Sequence, residues 1–403
     1  MRAIEPITED SASSSEVVEG VAIALSGGGY RAMLFHAGVL WRLGQWGFFS
    51  GHTLARSDSD GALQTVGSLE RISSVSGGSI TSAALALAWP QLRAVSAADF
   101  DEAYARTVIA PLRELAATHI AGTSKAGVLS MLKNIVLPGS VNDRVAKVYD
   151  RVLFRGKTLQ DLPDDVRFVF NASNLQSGAL WRFSKPFMRD WRVGMVERPK
   201  VSLAHAVGAS SAFPPFLAPA RLGVSATDFV PGSGDPAAGL QRPPFTSPVL
   251  ADGGVYDNLG LETCYKRYRT LLVSNAGKPF ASQAEISSNW VPIGARCLDL
   301  VDNQVLSLRK RLLLQALIEK RRYGAFWDIQ QSIATHPCSD PLPCPPARTA
   351  ELAQVATDLD AKPDELQERL INWGYAAADA SVRAWFNRRL PAPGGFPYPA
   401  RGV

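Results

Sequence analysis

Residues 71–80 read Arg71-Ile72-Ser73-Ser74-Val75-Ser76-Gly77-Gly78-Ser79-Ile80. The stretch Arg71 to Val75 is a short strand candidate, and the small-residue run from Ile80 to Leu87 has helical character. Between them, Ser74-Val75-Ser76-Gly77-Gly78 has the strand–turn–helix layout of a nucleophile elbow, G-x-S-x-G, with Ser74 in place of the first glycine. Such a turn strains the backbone of its serine. Small neighbours are needed because strand and helix come close there. The bland alternative is a Ser/Gly-rich helix cap with no chemistry.

Two further segments flank this one along the chain. Upstream, Leu25-Ser26-Gly27-Gly28-Gly29-Tyr30-Arg31 is a glycine run between a strand candidate, Val21 to Leu25, and a helical stretch, Tyr30 to Leu43. Consecutive glycines let N–H groups converge on an anion, and a helix N-terminus behind them adds positive potential. A structural tight turn is the alternative. A dinucleotide fingerprint wants an acidic residue further on, and Phe48 to Leu54 contains none. Downstream, Val249-Leu250-Ala251-Asp252 ends a strand candidate and leads into Gly253-Gly254. The aspartate is either a carboxylate projected into a cleft or a turn residue. Asp257 lies close by, but Tyr256-Asp257-Asn258 reads as a helix cap.

Strand and helix candidates alternate along the chain, which implies an α/β fold with a mostly parallel central sheet. Further strands are expected at Val166 to Phe170, Gly178 to Phe183 and Thr270 to Ser274, and a helix at Val201 to Ala209. Gly51 to Ser68 and Leu222 to Pro248 read as loops. A strong helix is expected from Val301 to Tyr323, carrying basic clusters at Arg309 to Arg311 and Lys320 to Arg322. These clusters suit either solvent or anionic lipid. A proline-rich linker follows from His336 to Pro346, then helices near Thr349 to Leu359, Pro363 to Trp373, and on to about Arg389. The domain reading is a disordered tail over 1–17, a catalytic domain over 18–335, and a linker with helical extension over 336–403.

The chain has 403 residues, a net charge of +5 and 46% hydrophobic residues, ordinary values for a globular protein. The charge is too mild to argue for nucleic acid. Four cysteines in this length make no disulfide framework. Cys338 and Cys344 share a loop with His336, and pairing or metal binding there competes with plain loop cysteines. Neither a metal nor a cofactor is expected. Met1 to Glu19 lacks the order of a signal peptide, and no apolar run is long enough to span a membrane. A cytoplasmic protein, at most peripheral on a membrane, is expected.

In this order, the glycine run, the serine elbow and Ala251-Asp252-Gly253-Gly254 resemble the patatin-like phospholipase family. Ala209-Ser210-Ser211-Ala212-Phe213-Pro214 and the segment Phe170 to Gly178 resemble two more blocks of that family. The string Ser26 to Met33 is similar to the group IV cytosolic phospholipases, related by fold. The resemblance covers Val21 to Ala276. It implies a three-layer patatin-like fold and a serine acyl hydrolase acting on phospholipid or other acyl-ester lipid. It also implies Ser76 as nucleophile and Asp252 as its base, joined by an acyl-enzyme. Gly27, Gly28, Gly29 and Gly77 are then the oxyanion-hole candidates. Arg31 is either a phosphate contact or a structural ion-pair residue. The five histidines fit a two-residue site: after Asp252 only His336 remains, inside the proline-rich loop. Two other readings stand beside this one. One is a membrane-degrading effector awaiting a partner or ligand. The other is a non-catalytic lipid-binding scaffold.

Overall fold

The computed structural model describes residues 17–58, 60–120, 140–240 and 245–403. The tail expected over 1–17 lies, except for its last residue, outside the described residues. The strands are β1 (Val18–Leu25), β2 (Leu54–Ser57), β3 (Leu63–Gly67), β4 (Leu69–Val75), β5 (Arg167–Asn174), β6 (Leu180–Phe183), β7 (Phe187–Asp190), β8 (Gly194–Glu197), β9 (Ala220–Arg221), β10 (Val249–Asp252), β11 (Tyr268–Asn275) and β12 (Tyr323–Asp328). Helices of eight or more residues are α1 (Gly29–Gln45), α2 (Gly77–Ala94), α3 (Ser140–Tyr149), α4 (Leu203–Ser210), α5 (Trp290–Ile318), α6 (Pro346–Gln354) and α7 (Asp364–Trp385).

The central sheet runs β12-β11-β1-β4-β5-β6-β7-β8, with β10 also on β5. From β12 to β5 every pairing is parallel, and β6 to β8 continue as an antiparallel meander. Strand β1 shows why this region is covered on both sides. Val21, Ile23 and Leu25 face one apolar cluster, while Ala22 and Ala24 face another. Strands buried on both faces belong to parallel sheets with helices above and below. The first cluster lies under α1, α2 and α7, and the second takes Leu313 of α5. The result is the expected three-layer α/β arrangement.

One register detail places the site. Val75, the last residue of β4, pairs with Asn171 of β5 in parallel. Asp252, the last residue of β10, pairs with the next residue, Ala172, in the antiparallel sense. The two strands therefore meet end to end along one edge of β5, and the residues at their tips are brought together.

Several expectations need correction. Gly51 to Ser68 is not a loop throughout, since β2 and β3 form a hairpin within it. Asp58 closes the turn by accepting the N–H groups of Asp60 and Ala62. The strong helix starts earlier than Val301 and ends before Tyr323, which opens β12. The two C-terminal helices expected from Pro363 onward are one, α7, with Pro363 at its N-cap. Within the segment from 336, α7 packs lengthwise on α1. A Cβ on Gly374 would lie 1.8 Å from the Phe35 carbonyl oxygen, and one on Gly38 would lie 1.9 Å from that of Ile371. Only glycine allows the two backbones so close. Substituting Gly374→Val is expected to cost at least ~1–3 kcal/mol through overpacking that no rotamer relieves. A thermal midpoint equal to the wild type in calorimetry would contradict this account.

Candidate active site

Ser76 sits at the turn between β4 and α2 with φ 52 and ψ −121. A positive φ is costly for a residue with a side chain and persists only where the surroundings enforce it. The enforcement is visible in the contacts. Its backbone N–H donates to Ser210 Oγ at 3.0 Å, and that hydroxyl donates to the Asn171 carbonyl at 2.7 Å. Glycine at 77 is required because a Cβ there would lie 2.1 Å from the Gly29 carbonyl oxygen. Glycine at 78 lets α2 pass the carbonyls of Leu25 and Ser26, each 2.7 Å from where a Cβ would be. Ser74, standing where the motif has glycine, is buried and hydrogen-bonds Ser82 at 2.7 Å. The departure is tolerated because the hydroxyl finds a partner.

Ser76 lies close enough to the Asp252 carboxylate for its hydroxyl to favour the ionised form. Asp252 is buried, and its Oδ1 accepts the Gly254 N–H at 2.7 Å. Its backbone is tied in place by Ala212, whose carbonyl accepts its N–H at 2.8 Å, and by Ser173, whose hydroxyl donates to its carbonyl at 2.8 Å. Burial pushes the carboxyl up to about 7, against the pull of the Gly254 N–H and the nearby Ser76 hydroxyl, with the charge of Asp302 on α5 adding to the rise. The Tyr149 hydroxyl is close enough to feel the same carboxylate.

The glycine loop lies beside this pair. Gly27 is not an available donor, because its N–H is already bound to the Asn258 carbonyl at 3.0 Å. The N–H groups of Gly28, Gly29 and Gly77 donate to no acceptor among the described residues. Gly28 has φ 143 and Gly29 φ 60, backbone states that suit glycine. Both α1 and α2 begin here, each bringing the partial positive charge of a helix N-terminus.

Arg31 does not face this space. It is fully buried, donating Nε and Nη2 to the Ala276 carbonyl at 3.1 and 2.9 Å and Nη1 to the Val355 carbonyl. Its role is to clamp the loop to the C-terminal segment, and the phosphate-contact expectation is withdrawn. Asp257, expected as a helix cap, is instead the last residue of the short helix Gly254–Asp257, and its carboxylate accepts the N–H groups of Leu259 and Glu262.

None of the five histidines reaches the pair. His36 is buried between Ser274 Oγ, 3.0 Å from Nδ1, and the Ser26 carbonyl, 2.9 Å from Nε2. Burial pushes it down to about 3, so it stays neutral. His52 lies in an exposed turn, His119 contacts Asp360, His205 joins Ser202, and His336 lies by Ser381 and Trp385. Cys338 and Cys344 are free thiols. Among the described residues no cluster of His, Cys, Asp or Glu could hold a metal ion. Sequence reasoning missed Ser210, Asn258 and Asp302. The first lay inside the Ala209 to Pro214 block, which had signalled a resemblance but not a job.

A family model described as patatin-like phospholipase matches residues 23–265. No curated protein matches the sequence. Among solved structures, human GIVD cytosolic phospholipase A2 in complex with methyl gamma-linolenyl fluorophosphonate is similar, at 14% identity and a TM-score of 0.43. That match covers 90% of this chain and 57% of the other. A second structure of the human enzyme gives 14% identity and a TM-score of 0.36, over 70% and 48%. VipD from Legionella pneumophila gives 14% and 0.31, over 85% and 66%. The chain thus spans between about half and two thirds of the length of these proteins.

The Asp252 carboxyl has an ordinary value of 3.8 and a folded value of about 7. The folded state therefore holds the proton more tightly than the unfolded one. Its ionisation erodes stability as pH rises from about 4 to about 7. Asp252→Asn removes that ionisation. The variant is expected to gain stability relative to the wild type across this window, as measured by denaturant unfolding at a series of pH values. A constant difference across the window would refute the buried, proton-retaining carboxyl.

Proposed function

This chain belongs to the patatin-like phospholipase family, and we propose that it hydrolyses lipid acyl esters with Ser76 as nucleophile and Asp252 as general base. The observation that supports the reading is the placement of Ser76 beside the buried carboxylate of Asp252 at the adjoining tips of β4 and β10, with no histidine among their partners. An aspartate held near 7 is far more basic than a free one, so it can take a serine proton at neutral pH.

In the proposed first step Ser76 Oγ attacks the ester carbonyl carbon while its proton passes to Asp252. The carbonyl oxygen becomes an oxyanion facing the N–H groups of Gly28, Gly29 and Gly77. One such donor is typically worth about 2.7–4 kcal/mol in the transition state. Collapse of the tetrahedral species breaks the bond to the alcohol, which leaves with the proton from Asp252. In the second step Asp252 takes a proton from water, which attacks the acyl-enzyme. Expulsion of Ser76 Oγ then releases the fatty acid and returns the serine its proton. No external co-reactant beyond water is required. The family makes a phospholipid the expected ester. Among the described residues no helix is long and apolar enough to cross a membrane, and we assign the chain to a peripheral position on one.

Two measurements test the reading together. Ser76→Ala is expected to abolish hydrolysis of short-chain p-nitrophenyl esters and of phospholipid. Wild-type kcat/KM is expected to fall about tenfold per pH unit below about 7, as Asp252 becomes protonated. Activity that survives in Ser76→Ala, or a profile flat from pH 5 to 8, excludes the dyad.

A further inference from the structure

Helix α5 is apolar on two sides. On the inner side Leu313 and Ala316 are fully buried, and Leu306 and Leu317 pack on the second core cluster. On the outer side Trp290 is 83% exposed, Val301 56%, Leu308 58% and Leu312 43%. A helix apolar on both faces normally has both covered. Single exposed leucines need no explanation, but a contiguous apolar stripe marks a surface that meets something.

The spacing of the stripe says what shape that something has. Trp290, Val301 and Leu312 recur at intervals of eleven, and Leu308 falls on the same line. Eleven residues in three turns give about 3.67 per turn, close to the 3.6 of a straight helix. The stripe therefore runs nearly straight for roughly 33 Å, at about 1.5 Å per residue. A sustained seven-residue seam would instead wind left-handed around a partner helix. A nearly straight stripe can lie along a flat apolar layer over its whole length.

Charge points the same way. Residues 278–322 hold eight Lys or Arg against four Asp or Glu. Arg309 and Lys310 turn inward to Glu262 and Asp328, but Arg311 is exposed with no acidic partner among the described residues. Trp290 at one end is the side chain best suited to a boundary between water and lipid.

The inner side of the same helix is wired to the site. Asp302 adds its charge to Asp252, and Arg309 donates to the Tyr256 carbonyl at 3.4 Å on the turn that follows it. We propose that the outer stripe of α5 docks the chain on an anionic lipid surface, so that an ester enters the site from the layer on which the helix lies. This rests on the reading of Ser76 and Asp252 as a lipid-hydrolysing pair.

Binding is tested without turnover. Ser76→Ala protein is expected to float with vesicles of phosphatidylglycerol and phosphatidylcholine and to bind phosphatidylcholine alone more weakly. Adding Val301→Gln and Leu308→Gln is expected to weaken binding by about tenfold or more, with the thermal midpoint unchanged. In the otherwise wild-type chain the same pair is expected to lower hydrolysis of vesicle phospholipid and spare that of a soluble short-chain ester. Unchanged flotation of the double variant, or equal binding to the neutral vesicles, overturns the proposal. So does an equal fall of both activities, or a solution dimer that the two substitutions dissociate. Ester hydrolysis persisting in Ser76→Ala would instead sink the catalytic reading and leave the flotation result standing.

Discussion

Two helices start within touching distance of each other, and the site depends on that contact. The carbonyl of Gly29, the first residue of α1, lies where any side chain on Gly77, the first residue of α2, would have to go. Because both residues are glycine, the loop after β1 and the turn after β4 share one space. The two helix starts then lie side by side next to Ser76. A methyl group at residue 77 would push the loops apart and move the glycine N–H groups away from Ser76. The positive φ of Ser76 belongs to the same arrangement, since the turn must rise above the sheet to reach that position.

Strand β5 supplies the second dimension. It holds the tips of β4 and β10 at adjacent residues, Asn171 and Ala172, so the separation of Ser76 and Asp252 is set by one peptide unit of a central strand. Loops could not hold two side chains that tightly. Burial under this strand and beside α5 also raises the basicity of Asp252, and the chain accepts a less stable fold in exchange.

The elbow, the glycine run and the aspartate were legible in the sequence because each is a local demand. A strained turn needs small residues next to it, and a strand end followed by glycines is compact enough to read. The parallel strands were legible for a similar reason, being short apolar runs between breakers. What stayed hidden depends on residues far away in the chain. Arg31 looked like an anion contact until Ala276 and Val355 were seen to absorb its donors. Gly27 looked equivalent to Gly28 until Asn258 took its N–H. The hairpin of β2 and β3 carries weak apolar alternation, because it lies on the surface. The lie of the C-terminal helix on α1 could not be read, because nothing in Gly374 announces Gly38 as its neighbour.

That last contact sets a schedule. The carbonyl of Asp358 accepts the N–H of Tyr30 at 3.0 Å and backs directly on Gly29, while Val355 receives Arg31. The first turn of α1 is thus finished by residues made more than three hundred positions later. During synthesis, which proceeds from the N-terminus, Ser76 and Asp252 emerge well before the donors beside them are held in place. A nascent chain then carries both side chains with the glycine loop before α1 not yet clamped. The surroundings of Ser76 are therefore completed late, by residues of the C-terminal segment.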